Sequence, residues 1–256
     1  MGLELNGIAK TFPARDKREA VEVLGGLDLS CAHGRFVALV GPSGCGKTTA
    51  LRIAAGLELP SAGQVLLDGY DIAGEPGKVG LVFQDYALLP WRTTLGNIEL
   101  GLRIKGMDRA QSRQSAMEYV EAFGLHGFES SYPHELSGGM QQRVAIARTL
   151  ILEPEVVLMD EPFGSLDSQT RNALQEFLLD VWTKRRDTIV FVTHNVDEAV
   201  FLADEIVVLS ARPAKVVLRV EVTAHRPRDR TSEECNNIRR GVLEVLAEQQ
   251  VANHVL

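Results

Sequence analysis

Residues 41–48 read Gly41-Pro42-Ser43-Gly44-Cys45-Gly46-Lys47-Thr48 and fit G-x-x-x-x-G-K-[ST] at every fixed position. The apolar run Val37-Ala38-Leu39-Val40 stands immediately before them. Residues 50–56 follow with an apolar helical face and a glycine stop at Gly56. A strand, a glycine loop and a helix in that order constrain the chain to an α/β fold. The loop is suited to a polyphosphate. Glycines let the backbone curl so that successive N–H groups point at oxygen. A helix starting near Lys47 adds the positive end of its dipole. Lys47 brings a point charge for the β- and γ-phosphates, and the Thr48 hydroxyl can ligate Mg²⁺. An ordinary glycine-rich turn matches the eight letters but does not call for the strand and helix around them.

The remaining pattern agrees with a parallel sheet. Residues 3–40 are β-rich, interrupted by a loop from Phe12 to Glu19. Residues 61–70 read as a turn, a strand and another turn, short strands are expected at 79–83, 188–193 and 205–209, and Val156-Val157-Leu158-Met159 reads as a strand covered on both faces. Helical periodicity dominates 95–152, and 172–183 is helical. Ile238, Val242, Leu243 and Leu246 recur at helical spacing near the end. The expected fold is therefore a single domain over 1–256, a P-loop NTPase parallel-sheet core with an antiparallel β portion and an inserted α-helical subdomain. Residues 1–84 and 156–230 form its catalytic core, 85–155 the helical insert and 231–256 a terminal helix.

Bulk properties exclude several functions. The net charge of −7 disfavours wholesale binding to nucleic-acid phosphates. Cys31, Cys45 and Cys235 are odd in number and far apart, so neither a disulfide framework nor a zinc site follows. Cys45, at a variable position of the loop, reads as a small filler side chain. No secretory leader is expected from Met1-Gly2-Leu3-Glu4-Leu5, and no apolar run approaches the ~20 residues that span a bilayer.

Further chemistry lies at two places. Asp160-Glu161 closes the apolar run at 156–159. Paired with Lys47, Asp160 can orient Mg²⁺ through water, and Glu161 can accept a proton from, or orient, a water attacking the γ-phosphate. Leu136-Ser137-Gly138-Gly139-Met140-Gln141 opens another helix, with Ser137 as a good N-cap and two glycines for close approach. The helical insert separates this second anion site from the first. That separation suggests a second copy of the chain supplying it.

In this order the motifs identify a family. The loop at 41–48, Leu136–Gln141, the acid pair at 160–161, Ser165-Leu166-Asp167 and His194 resemble the ATP-binding cassette subunits over nearly the whole chain. The resemblance implies a head-to-tail dimer closing over two ATP molecules, with Mg²⁺. It implies nucleotide contacts from Phe12, Gly41, Pro42, Ser43, Gly44, Cys45, Gly46, Lys47, Thr48, Thr49, Ser137, Gly138, Gly139, Gln141 and Asp167. Metal contacts would come from Thr48, Gln84 and Asp160, and catalytic roles from Glu161, His194 and Gln84. Phe12 matches the aromatic that stacks on adenine, with a core or turn aromatic as the alternative.

Finer features resemble the nitrate/sulfonate/taurine-type importer ATPases. These are Gln84-Asp85-Tyr86-Ala87-Leu88-Leu89-Pro90-Trp91-Arg92-Thr93-Thr94 with Asn97, Val192–Ala199 and Leu209-Ser210-Ala211-Arg212-Pro213. Asn195 departs from the Asp usual after the histidine. The resemblance implies transmembrane permease subunits, an external solute-binding protein, and a place on the cytoplasmic face of the inner membrane through the permease. Tyr86, Leu88, Leu89 and Trp91 are expected to form part of the groove that receives a permease helix. The alternative is an ABC-type ATPase outside transport, although 48–136 is too short for the coiled coils of repair proteins and the chain holds one cassette.

Overall fold

Two sheets carry the fold in the computed structural model, which describes residues 2–13, 19–75 and 77–253. In chain order the elements are β1 (Gly2–Phe12), β2 (Val21–Ala32), β3 (Phe36–Val40), α1 (Lys47–Ala54), β4 (Ala62–Leu67), β5 (Tyr70–Asp71) and β6 (Val79–Val82). Helices α2 (Thr94–Ile98), α3 (Leu100–Ile104), α4 (Arg109–Ala122) and α5 (Gly138–Leu150) follow. The chain closes with β7 (Val156–Asp160), α6 (Ser168–Arg185), β8 (Thr188–Thr193), α7 (Val196–Leu202), β9 (Glu205–Leu209), β10 (Val216–Glu221) and α8 (Glu233–Asn253). The loop expected after Phe12 falls at residues 14–18 outside the described residues, as do the last three residues of the expected terminal helix.

The larger sheet has the order β10-β9-β3-β8-β7-β6. All its neighbours run parallel except β10, which pairs antiparallel with β9. The smaller sheet, β2-β1-β4-β5, is antiparallel. Strand alternation divides the apolar residues of the parallel sheet between two cores. Phe36, Ala38, Val40, Val157, Met159, Ile189 and Phe191 face the helical side. Val37, Leu39, Val156, Leu158, Val190 and Val192 face α1 and the antiparallel sheet. Both faces are covered, which is why these strands read as unbroken apolar runs. Each fully buried Leu, Val or Phe contributes roughly 1.5–3 kcal/mol relative to exposure, so this double layer holds the strand ends rigidly.

Register then fixes where chemistry can occur. Val40 lies opposite Thr193, and Asp160 opposite Val192. The carboxyl ends of β3, β7 and β8 therefore share one edge, where ligands of open α/β sheets bind. Helix caps fix where two of the helices begin. Ser137 accepts the Met140 N–H at the start of α5, and Asp167 accepts the Gln169 and Thr170 N–H groups at the start of α6. At its far end α6 carries Lys184 and Arg185 in the last turn and stops at Arg186 in the left-handed region.

The terminal helix differs from its sequence pattern in one position. In α8, Cys235 and Val242 are buried and Ile238, Val245 and Leu246 pack against the core, whereas Leu243 is exposed. Adjacent residues on a helix diverge by about 100°, so Val242 and Leu243 cannot both face one narrow stripe. Among the described residues no helix is long and apolar enough to cross a membrane.

Candidate active site

The phosphate loop links β3 to α1 and keeps its shape through residues that tolerate no side chain. Gly44 and Gly46 have φ of 75° and 124°. A Cβ on Gly46 would stand 2.7 Å from Val23 Cγ1, and one on Gly41 would stand 3.0 Å from Cys45 Sγ. The glycines thus answer both to backbone conformation and to close packing. Cys45 is buried, and burial pushes its thiol up despite the nearby Lys47 charge, in keeping with a filler rather than a reactive group. Lys47 is also buried and donates from Nζ to the carbonyls of Gly41 (2.8 Å) and Pro42 (2.9 Å). Its ammonium lies within the curl of the loop.

Beside the loop, Thr48 Oγ1 donates to Asp160 Oδ1 at 3.0 Å, linking the first turn of α1 to the end of β7. Burial raises the Asp160 carboxyl above its ordinary range; the Thr48 hydrogen bond opposes this and the Glu161 charge adds to it. A hydroxyl and a carboxylate oxygen together are a hard-oxygen donor pair that suits Mg²⁺ with water in its remaining positions. The chemistry of the donors therefore fits the cation expected from the sequence.

Glu161 sits at φ 44°, an uncommon conformation for its residue type, and its N–H donates to Val192 O at 3.0 Å. That turn directs the carboxylate across the strand ends to His194, whose Nδ1 is 3.0 Å from Glu161 Oε2. An ionised carboxylate only accepts, so Nδ1–H is the donor. Gln84 approaches the same spot. A Cβ on Gly164 would stand 3.5 Å from Glu161 Oε2 and 3.8 Å from Gln84 Nε2. Asn195 caps α7 by accepting the Asp197 N–H at 2.9 Å. An Asp side chain would accept the same bond, so the departure at 195 leaves the cap intact.

Phe12, Ser43, Gly44, Gly46, Lys47, Thr48, Thr49 and Glu161 line one recess of about 490 Å³ with Val21, Val23 and Arg212. Ser137, Gly138, Gly139 and Gln141 do not line it. They stand at the N-terminus of α5, where Ser137 is exposed and Gln141 Nε2 donates to Leu136 O at 3.1 Å. Asp167 is likewise outside the recess, capping α6. The Thr170 side-chain hydrogen bond, followed by the backbone N–H groups of Thr170 and Gln169, holds its carboxyl below the usual range.

Comparison with known proteins agrees with this geometry. The ABC transporter family matches residues 24–164. An uncharacterized ABC transporter ATP-binding protein of Methanocaldococcus jannaschii is 49% identical over 96% of this chain and 92% of its own length. The aliphatic sulfonates import ATP-binding protein SsuB of Bacillus cereus is 43% identical over 95% of each chain. Among solved structures, a dimeric bacterial ABC transporter cassette superposes with a TM-score of 0.76 at 32% identity, covering 87% of this chain and all of that one. The chain belongs to the ABC transporter family. It is an ATP-binding subunit with ATPase activity.

Two features of this ABC subunit were not evident from its motifs. Arg212 reaches the phosphate loop from the turn after β9, its Nε donating to Gly44 O. The sequence shows Arg212 only as part of a short resemblance after β9, because the contact depends on long-range packing. The second is a groove of about 600 Å³ that includes Phe83, Ala87, Leu100, Ile104 and Leu152. Of the expected aromatic and apolar cluster, Tyr86 and Leu88 pack against the core, while Trp91 is exposed and does not line this groove. Asn97 explains the arrangement. Fully buried, it accepts the Leu89 N–H and donates to the carbonyls of Leu89, Arg92 and Thr93, which fixes the backbone around Trp91.

Proposed function

We propose that the chain hydrolyses Mg·ATP in a head-to-tail dimer and so drives an importer of a small oxyanion or organosulfur solute, an aliphatic sulfonate being the first candidate. The convergence of Glu161, His194 and Gln84 beside Lys47 and Thr48 carries this reading. Lys47 and the loop N–H groups bind the β- and γ-phosphates, and Phe12 stacks on the adenine. Thr48, Asp160 and Gln84 would hold Mg²⁺, which would supply neutralisation of phosphate charge. Glu161 orients the attacking water and receives its proton. His194 holds Glu161 in place before nucleotide arrives and turns its ring toward the γ-phosphate in the closed dimer. Ser137, Gly138, Gly139 and Gln141 of one copy close over the nucleotide of the other, with Asp167 at the contact.

The solute follows from the relatives rather than from this chain. The relative from Bacillus cereus is named for import of aliphatic sulfonates, which supports the sulfonate member of the nitrate, sulfonate and taurine set. Residues 1–84 and 156–230 serve as catalytic core and 85–155 as the helical part that meets the permease. The groove beside Phe83 and Ile104 has the apolar lining a permease helix requires. Such a complex rests on the cytoplasmic face of the membrane and receives solute from an external binding protein.

Glu161→Gln tests the catalytic step. The purified variant should bind ATP and dimerise, with turnover reduced about 100-fold or more, the scale of losing a general base. Unchanged turnover would overturn the assignment of Glu161. In cells carrying that variant as the sole copy, undiminished sulfonate uptake would overturn the import reading.

A further inference from the structure

Arg212 borders the nucleotide recess from a turn whose position is set by the backbone. Within residues 210–215, Ser210 N donates to Lys215 O at 2.9 Å and Lys215 N to Ser210 Oγ at 3.0 Å. The same turn is joined to β2, where Ala214 N donates to Val23 O at 2.9 Å and Gly25 N to Ala214 O at 3.1 Å. β2 carries Val21 and Val23, which wall the recess. Arg212 and the recess wall are therefore parts of one hydrogen-bonded unit, and the arginine is presented at a set place rather than on a free loop.

Two observations describe what the guanidinium does there. Its Nε donates to the carbonyl of Gly44, and its Nη2 is 2.9 Å from where a Cβ on Gly44 would stand. The absent side chain at 44 makes room for it. Among the described residues, Nη1 and Nη2 have no hydrogen-bond partner and the guanidinium pairs with no carboxylate. A fixed cation with unused donors at the edge of a phosphate loop suits a ligand with several phosphate oxygens.

We propose that Arg212 contacts the bound nucleotide from the solvent side of the phosphate loop and sets affinity for its polyphosphate, complementing the buried Lys47. The proposal rests on the recess being the ATP site. It predicts a charge effect, not merely a bracing of Gly44. Bracing needs only a donor, whereas attraction of phosphate needs the positive charge and weakens with salt.

The test is titration of the full chain with ATP, ADP and adenosine at low and high salt. Arg212→Gln keeps a donor without the charge, and Arg212→Lys keeps the charge. Arg212→Gln should weaken ATP and ADP about fivefold at low salt, a gap that narrows at high salt, with adenosine unaffected. Arg212→Lys should recover more of the ATP affinity than Arg212→Gln. Binding of ATP by Arg212→Gln within twofold of wild type, a loss insensitive to salt, or an equal loss for adenosine overturns the proposal. Lys47→Ala in the same titrations separates the two readings. Loss there beside wild-type behaviour of Arg212→Gln removes only the role of Arg212, whereas undiminished binding by Lys47→Ala removes the site as well.

Discussion

Fully buried in α5, Gln142 finds among the described residues no hydrogen-bond partner for either Oε1 or Nε2. A buried amide in that position costs about 1–3 kcal/mol. Methionine has similar length and volume and nothing to satisfy. Gln142→Met should therefore raise the unfolding midpoint by roughly 2–4 °C, the shift that ~1 kcal/mol gives a chain of this size. A lowered midpoint would show that the amide is partnered in solution. Gln142 also marks how far single residues can be read from sequence. Lys47, Thr48, Asp160 and Glu161 were legible because each lies beside a strand end, where local order dictates what it meets. The 3.0 Å bond between Thr48 and Asp160 follows once β3 and β7 are parallel neighbours on either side of β8. Gln142 was not legible as a conflict, since its letter fits a polar helix position and only tertiary packing buries it.

Helices α5 and α6 meet where Gly139 faces Thr170: a Cβ on Gly139 would stand 2.6 Å from Thr170 Cγ2. Gly138 is nearly as close to Leu166 and to the Tyr86 hydroxyl, each 3.2 Å from its would-be Cβ. Tyr86 in turn hydrogen-bonds Ser165 Oγ at 2.6 Å, and Arg148 of α5 donates to the carbonyls of Tyr86 and Ala87. The start of α5 is thus seated against both the turn before α6 and the segment after Gln84. Gly139→Ala should lower stability by about 1–3 kcal/mol through overpacking at this seat. Thr170→Ser removes the offending methyl, so the double variant should regain most of the loss in a denaturant titration. A double variant no more stable than Gly139→Ala alone would show that the strain lies elsewhere. The sequence revealed the glycines and the N-cap of α5 but not this seat. Residues 139 and 170 are brought together by β7 and the turn at 161–167, a contact no local pattern encodes. The same limit explains Leu243, counted in the apolar stripe of α8 yet exposed.

At the scale of the whole molecule, the decisive fact is that the starts of α1 and α5 do not share a recess. The recess beside α1 holds Lys47, Thr48 and Glu161, and the residues opening α5 are absent from its lining. If one nucleotide requires both, the two must come from different copies, and a two-fold dimer supplies them reciprocally. Mixing inactive variants tests this directly. Lys47→Ala disables the phosphate loop of its own copy; Ser137→Arg places a bulky cation at the α5 start of its own. Each variant alone forms dimers with both composite sites damaged. In a mixed dimer one site carries both substitutions and the other carries neither. Random pairing makes half the dimers mixed, each with one of two sites intact, so ATPase activity should return to roughly a quarter of wild type if sites act independently. Recovery would require that Lys47 and Ser137 act on a nucleotide from opposite copies. A mixture no more active than its two components would instead place both residues on one chain's nucleotide, or show that a single intact site cannot turn over, and a covalently linked pair with one wild-type copy separates those outcomes. With Ser137→Arg in the linked partner, half-maximal activity beside a silent mixture places both residues on one chain's nucleotide, and none means that both sites must be sound for either to fire.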